Sequence, residues 1–182
     1  MTLLDDRPIA SGITRRPQPG PTLPHRDASD DFFLGDPDSS RQVTLSVPGM
    51  PRGFRPWWVE YVEQQLNQLL RLRSGWDGRR ALPVERRAVE AMVGVLATLM
   101  DETSALPQLF PLVDGGLQAE WHVGGNDIEV EVDGAGHAHV LATTVGEETI
   151  AEGVLEPSHA RQLLDASRSF LQQLSARIAA LH

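Results

Sequence analysis

Between Gly116 and Thr144 apolar and polar residues alternate with a period of two. Leu117, Ala119, Trp121 and Val123 alternate with Gln118, Glu120 and His122, and Ile128, Val130 and Val132 alternate with Asp127, Glu129 and Glu131. Such alternation predicts strands buried on one face only. Gly124-Gly125 interrupts the pattern as a two-residue hairpin loop, which sets Val123 opposite Asn126, Trp121 opposite Ile128 and Ala119 opposite Val130. Gly134-Ala135-Gly136 reads as a three-residue loop and sets Val132 opposite Ala138 and Val130 opposite Val140. One face of this antiparallel meander is therefore apolar, while Gln118, Glu120, His122, Asp127, Glu129, Glu131 and His139 share the other.

Helical periods flank the meander. Pro56 suits a first helical turn, and Trp58, Val62, Leu66, Leu69 and Leu70 follow at spacings of three and four, predicting a helix to about Arg73 that Ser74-Gly75 stops. Pro83 is expected to open a second helix with Val89, Met92, Val93, Leu96, Leu99 and Met100 on one stripe. Pro157 is expected to start a terminal helix carrying Ala160, Leu163, Leu164, Leu171, Leu174, Ile178 and Leu181. Short strands are expected at Gln42 to Val47 and at Glu148 to Val154. The whole reads as an α+β domain over residues 41–182, an antiparallel β-meander of three to five strands packed on one face by about three helices.

Residues 1–40 hold six of the 13 Pro, and seven Asp against four Arg leave a charge of −3, a composition that reads as a tail, disordered or docked on a partner. Within it, Phe32, Phe33 and Leu34 follow Asp30-Asp31 as an apolar anchor suited to a protein groove. Phe54 and Trp57 add aromatic surface near a helix start, and with the anchor form the expected partner-binding set.

Composition narrows the chemistry. The net charge of −9 argues against free DNA or RNA as a ligand. All 16 basic residues are Arg, so lysine Schiff bases, P-loop lysines and acidic nuclease motifs that end in Lys are excluded. Absence of Cys removes disulfides and thiolate sites and points to a reducing, cytoplasmic setting. Met1 to Ala10 does not read as a signal peptide, and no apolar run approaches the roughly 18 residues a membrane span needs.

The polar face of the meander is the candidate for chemistry. Its register opposes Glu120 to Glu129, a like-charge pair, and His122 to Asp127. A divalent metal held by Glu120, His122, Asp127 and Glu129 would relieve that repulsion and would make the chain a metal-dependent hydrolase or metal-binding protein. Alternatively this is the solvated face of a one-sided sheet, which alternates polar residues in the same way. Trp76-Asp77-Gly78 reads as a structural turn between helices, with Asp77 closing the turn and Gly78 at positive φ. Ser158 and His159 read as the start of the last helix and not as part of a catalytic triad.

Gly75-Trp76-Asp77-Gly78 with Pro83, and Asp114-Gly115-Gly116-Leu117-Gln118-Ala119-Glu120-Trp121-His122, resemble a pattern in small uncharacterised bacterial proteins, where a Trp-Asp-Gly turn precedes a helix and a Gly-Gly-x-x-x-Glu-Trp strand precedes an acidic one. The resemblance covers about residues 70–143 and implies a shared fold without an assigned activity. The expectation that follows is a non-catalytic protein–protein interaction module without a cofactor, part of a larger bacterial assembly, whose partner is another protein or a second copy of the chain.

Overall fold

The computed structural model describes residues 42–45 and 55–180. The tail at 1–40, including Phe32, Phe33 and Leu34, lies outside the described residues, as do Phe54 and Leu181. The elements are α1 (Trp57–Leu69), α2 (Arg86–Leu99), β1 (Gln108–Pro111), β2 (Leu117–Val123), β3 (Asn126–Val132), β4 (Ala138–Thr143), β5 (Thr149–Val154) and α3 (Ala160–Ala179). All five strands form one antiparallel sheet in sequence order, a meander. The fold is α+β, as the patterning predicts.

Turn chemistry sets the register. Gly124 and Gly125 stand at φ 58° and 77°, a pair of positive values that side chains disfavour and that matches the right-handed twist of the strands they join. Trp121 then faces Ile128, Ala119 faces Val130 and Val132 faces Ala138, each pairing as expected. β1 is an additional strand that the patterning does not foresee, because the four residues Gln108–Pro111, preceded by Pro107 and ending in a proline, are too short to show a period.

The described helices cover only the apolar face. α1 packs at β1, α2 over β2 and β3, and α3 over β4 and β5, with α2 and α3 in contact. Trp58, Leu66, Met92, Leu96, Trp121 and Leu171 are fully buried between the layers. Trp121 also donates its indole N–H to Ala105 O at 2.8 Å, so the largest side chain of the sheet leaves no orphaned donor. Among the described residues no helix is long and apolar enough to cross a membrane.

Four boundaries depart from expectation. α3 begins at Ala160 and not at Pro157, residues 157–159 forming a turn in which His159 N–H and Ala160 N–H both bond Glu156 O, and at the other three further groups claim the backbone. Residues 42–45 belong to no strand. Val43 donates its N–H to Asn67 Oδ1 at 2.9 Å and accepts from Asn67 Nδ2 at 3.1 Å, while Leu45 N–H donates to Glu63 Oε2 at 2.9 Å. Side chains of α1 thus stand where a neighbouring strand would. α1 itself ends at Leu69 and not near Arg73, since Arg71 N–H turns to Gln68 O and Leu72 N–H to Leu69 O, a tightening that unwinds the last turn. Pro83 does not open α2. Leu82 N–H donates to Val113 O and Glu85 N–H to Gly115 O, holding 82–85 outside the helix, with Glu85 extended, until it starts at Arg86.

That last contact joins the two sequence strings of the resemblance. Asp77 Oδ1 accepts from the N–H groups of Arg79 and Ala81, Trp76 Nε1 donates to Leu82 O at 3.0 Å, and Gly78 has φ 75°, so the turn plays the closing role expected of it. The turn delivers Leu82–Glu85 onto Val113–Gly115. Next to it, Asp114 Oδ1 holds Gly116 N–H at 3.0 Å, and a Cβ on Gly116 would stand 2.3 Å from Val132 O, so only glycine lets β2 start against β3.

Trp121→Ala is expected to destabilise the protein by about 3–5 kcal/mol in urea unfolding, through the cavity it leaves. A loss below about 1 kcal/mol would contradict this packing.

Candidate functional site

The outward face of the sheet is uncovered by any described helix, and the strand register decides which side chains meet there. A row crosses the sheet from Gln108 through Glu120, Glu129 and Leu141 to Glu152. Beside it run the pairs His122 with Asp127 and Gln118 with Glu131, the latter facing His139 on β4.

His122 stands between two carboxylates. Its Nδ1 lies 2.5 Å from Asp127 Oδ1 and its Nε2 lies 2.8 Å from Glu120 Oε2, contacts that both become charge-assisted donations once the ring is protonated. Hydrogen bonds to Asp127 and then Glu120 accordingly raise its pKa above the ordinary 6.5, against a small opposing effect of burial. Glu129 has the reverse surroundings. Burial, then Glu120, then Glu131 raise its carboxyl above the usual range, with His122 only partly compensating. Four of the sequence candidates are thus brought together, but as an acid–imidazole–acid relay with Glu129 opposed to one end.

The imidazole separates Glu120 from Asp127, each at its own ring nitrogen. Among the described residues no group of three or more His, Asp or Glu converges as a metal-holding set. To enter such a set, His122 would have to release a carboxylate and lose a ring proton.

The remaining candidates lie elsewhere. Trp57 is 49% exposed at the first position of α1, and its indole N–H donates to Glu102 O at 3.0 Å, while neighbouring Trp58 is buried. Ser158 and His159 precede α3 in a turn, with Ser158 Oγ 2.9 Å from His159 Nδ1 and both exposed.

Sequence reasoning missed Asp101, in the loop after α2. Its Oδ1 accepts from Thr103 N–H, Thr103 Oγ1 and Ser104 Oγ, and its Oδ2 accepts from Gln172 Nε2 of α3 at 2.8 Å. Burial would raise this carboxyl, yet bonds from Gln172, Thr103 and Ser104 outweigh it and bring the pKa down to about 2. The same loop presents Ala105, whose N–H donates to Ser175 Oγ and whose carbonyl holds Trp121. An Asp followed by Thr and Ser two and three residues on is a local turn signature that could have flagged it. Nothing in the sequence marks the contact with Gln172, 71 residues away.

Two outcomes follow. Asp101 titrates near 2 when folded against 3.8 in its ordinary state, so its stabilisation is complete above about pH 4 and is lost as pH falls toward 2. Asp101→Asn should therefore be less stable than the native chain in urea at pH 6, and the gap should close near pH 2. On the sheet face, NMR should place the His122 midpoint above 6.5 and find it lowered in Asp127→Asn and Glu120→Gln. Glu129→Gln should leave the melting temperature at pH 7 unchanged or raised, because the raised carboxyl is disfavoured in its charged form. A drop of several degrees would mean that Glu129 has a favourable partner.

No family model, curated protein or solved structure matches the chain, so its functional reading rests on this geometry.

Proposed function

We propose that the chain is a non-catalytic protein-binding module, a component or regulator of a larger cytoplasmic assembly, whose uncovered sheet face receives a basic surface of its partner. The observation that carries this reading is the opposition of Glu120 and Glu129 on a face that no described helix covers, with Glu131 and Glu152 near by. Like charges directly across a strand pair cost stability in the free chain, and an arriving Arg or Lys would relieve that cost. Half-buried Leu141 within the row gives the face an apolar centre. Exposed Trp57 and the sequence anchor Phe32-Phe33-Leu34 offer further attachment points.

The alternative, a divalent cation bound by Glu120, His122, Asp127 and Glu129 for hydrolysis, needs the His122 relay to open. Calorimetric titration with Mg, Mn and Zn separates the two readings, since a cation held below about millimolar must also raise the melting temperature.

The test of the main reading compares the native chain with Glu120→Gln/Glu129→Gln/Glu131→Gln in cross-linked capture from the source cells. The native chain is expected to retain partners at low salt and lose them at high salt, and the triple variant to lose the same partners while remaining folded. Identical capture by both chains would reject the reading.

A further inference from the structure

The two edges of the sheet are finished differently. At β1 the strand is four residues long, follows Pro107 and ends in Pro111, and Gln65 of α1 closes its open side. The Gln65 amide accepts from Leu109 N–H at 3.1 Å and donates to Pro107 O at 3.4 Å, standing where a further strand's backbone would. A short strand with proline and a covering side chain is a blunted edge.

Among the described residues β5 has no such cover, although its pairing with β4 shifts register between Ala142 and Thr143, at the start of the strand. It runs for six residues without proline, lysine or arginine. Leu155 N–H donates to Ala138 O, and antiparallel bonding alternates, so Gly153 and Ala151 turn their backbone groups toward β4 while Glu152 and Val154 turn theirs away. The Val154 carbonyl is taken by Glu156 N–H. Among the described residues nothing bonds the Val154 N–H or the Glu152 N–H and C=O, and the side chains of Thr149, Ile150, Glu152 and Val154 are exposed. Beneath the start of β5 lies a groove against α3 of mixed lining, in which Val145, Ile150, Ala166 and Phe170 stand among polar neighbours that include Glu148 and Arg177.

We propose that the β5 edge is a strand-addition site for an extended partner segment in which Lys or Arg alternates with apolar residues. This rests on the protein-binding reading and names its mode. Backbone groups that face outward in pairs are satisfied by another backbone, which supplies affinity independent of sequence. The residue opposite Glu152 shares its outward face and extends the row of Glu120, Glu129 and Leu141, so a basic side chain is complementary there. The alternate residues point to the helical side, toward Val145, Ile150 and Phe170 of that groove. A second copy is the poorer occupant, because pairing β5 with itself about Glu152 opposes two carboxylates and each chain carries −9.

The experiment uses the full chain, isotope-labelled, with the synthetic peptide acetyl-(Val-Lys)4-amide at low salt, read by amide exchange and chemical shift. Glu152 and Val154 amides are expected to exchange at least tenfold more slowly with peptide bound. Glu152→Pro removes an outward N–H together with the carboxylate, whereas Glu152→Gln removes the charge alone. The proline variant should therefore bind at least tenfold more weakly than the glutamine variant with the melting temperature kept, and equal binding by the two would overturn edge addition. A second arm leaves the protein intact: N-methylation of the peptide's Lys residues, whose N–H groups would face β5, should abolish binding, whereas N-methylation of its Val residues should not. Equal binding of both methylated peptides, with shifts confined to Glu120, Glu129 and Glu131, would overturn edge addition while leaving the acidic-face reading intact. Absence of binding below millimolar would overturn it too, and so would Glu152 protection without peptide accompanied by a doubled mass in light scattering. Partner loss in the triple face variant decides the broader reading independently.

Discussion

The turn at Gly124-Gly125 leaves β2 and β3 a single way to pair, and most of the molecule follows from that pairing. Side chains alternate with a period of two, so a slip of one residue would carry Trp121, Ile128 and Val130 to the solvent face and the carboxylates into the core. With the observed register, the apolar residues of both strands form the floor on which α2 lies. Trp121 reaches beyond that floor to Ala105, tying the sheet to the loop that Asp101 organises and, through Ser175, to α3. A local turn preference is thereby propagated into the packing of all the layers that touch this loop.

The same register creates the electrostatic imbalance of the outward face. His122 is held by two acids and leaves Glu129 facing Glu120 with no bond to the imidazole. A fold selected only for stability gains nothing from that opposition, since a glutamine at 129 would keep the strand and remove the repulsion. The proposed reading gives the opposition a purpose: a charged partner gains what the free chain lacks.

Polar side chains of α1 do an unusual share of backbone work. Gln65 closes the β1 edge, Asn67 holds both backbone groups of Val43, and Glu63 accepts from Leu45 and pairs with Arg55. Backbone groups that lack a strand or water must find a partner somewhere, and amide and carboxylate side chains on a helix offer one. One edge of the sheet and the segment before α1 are completed in this way, while among the described residues no side chain of a helix does the same for the β5 edge.

Much of this was legible in the sequence, for a physical reason. Strand alternation, glycine turns and helical stripes are local or near-local, so the α+β class, the meander from β2 to β4, the cross-strand pairs of the acidic face and the closing role of Asp77 could be read from residue order alone. What the order left open involves groups far apart in the chain. The segment at 42–45 looks like a strand by its β-branched alternation, but whether it joins a sheet depends on what the fold places beside it, and Asn67 and Glu63 arrive there first. Pro83 looks like a helix start until Val113 and Gly115 claim the backbone around it. β1 has too few residues to announce itself, and the bond from Gln172 to Asp101 joins positions with no shared pattern. Local periodicity decided which residues could be buried together, and the tertiary structure decided which polar groups would complete the backbone, because that competition is settled only when distant side chains come within hydrogen-bond reach.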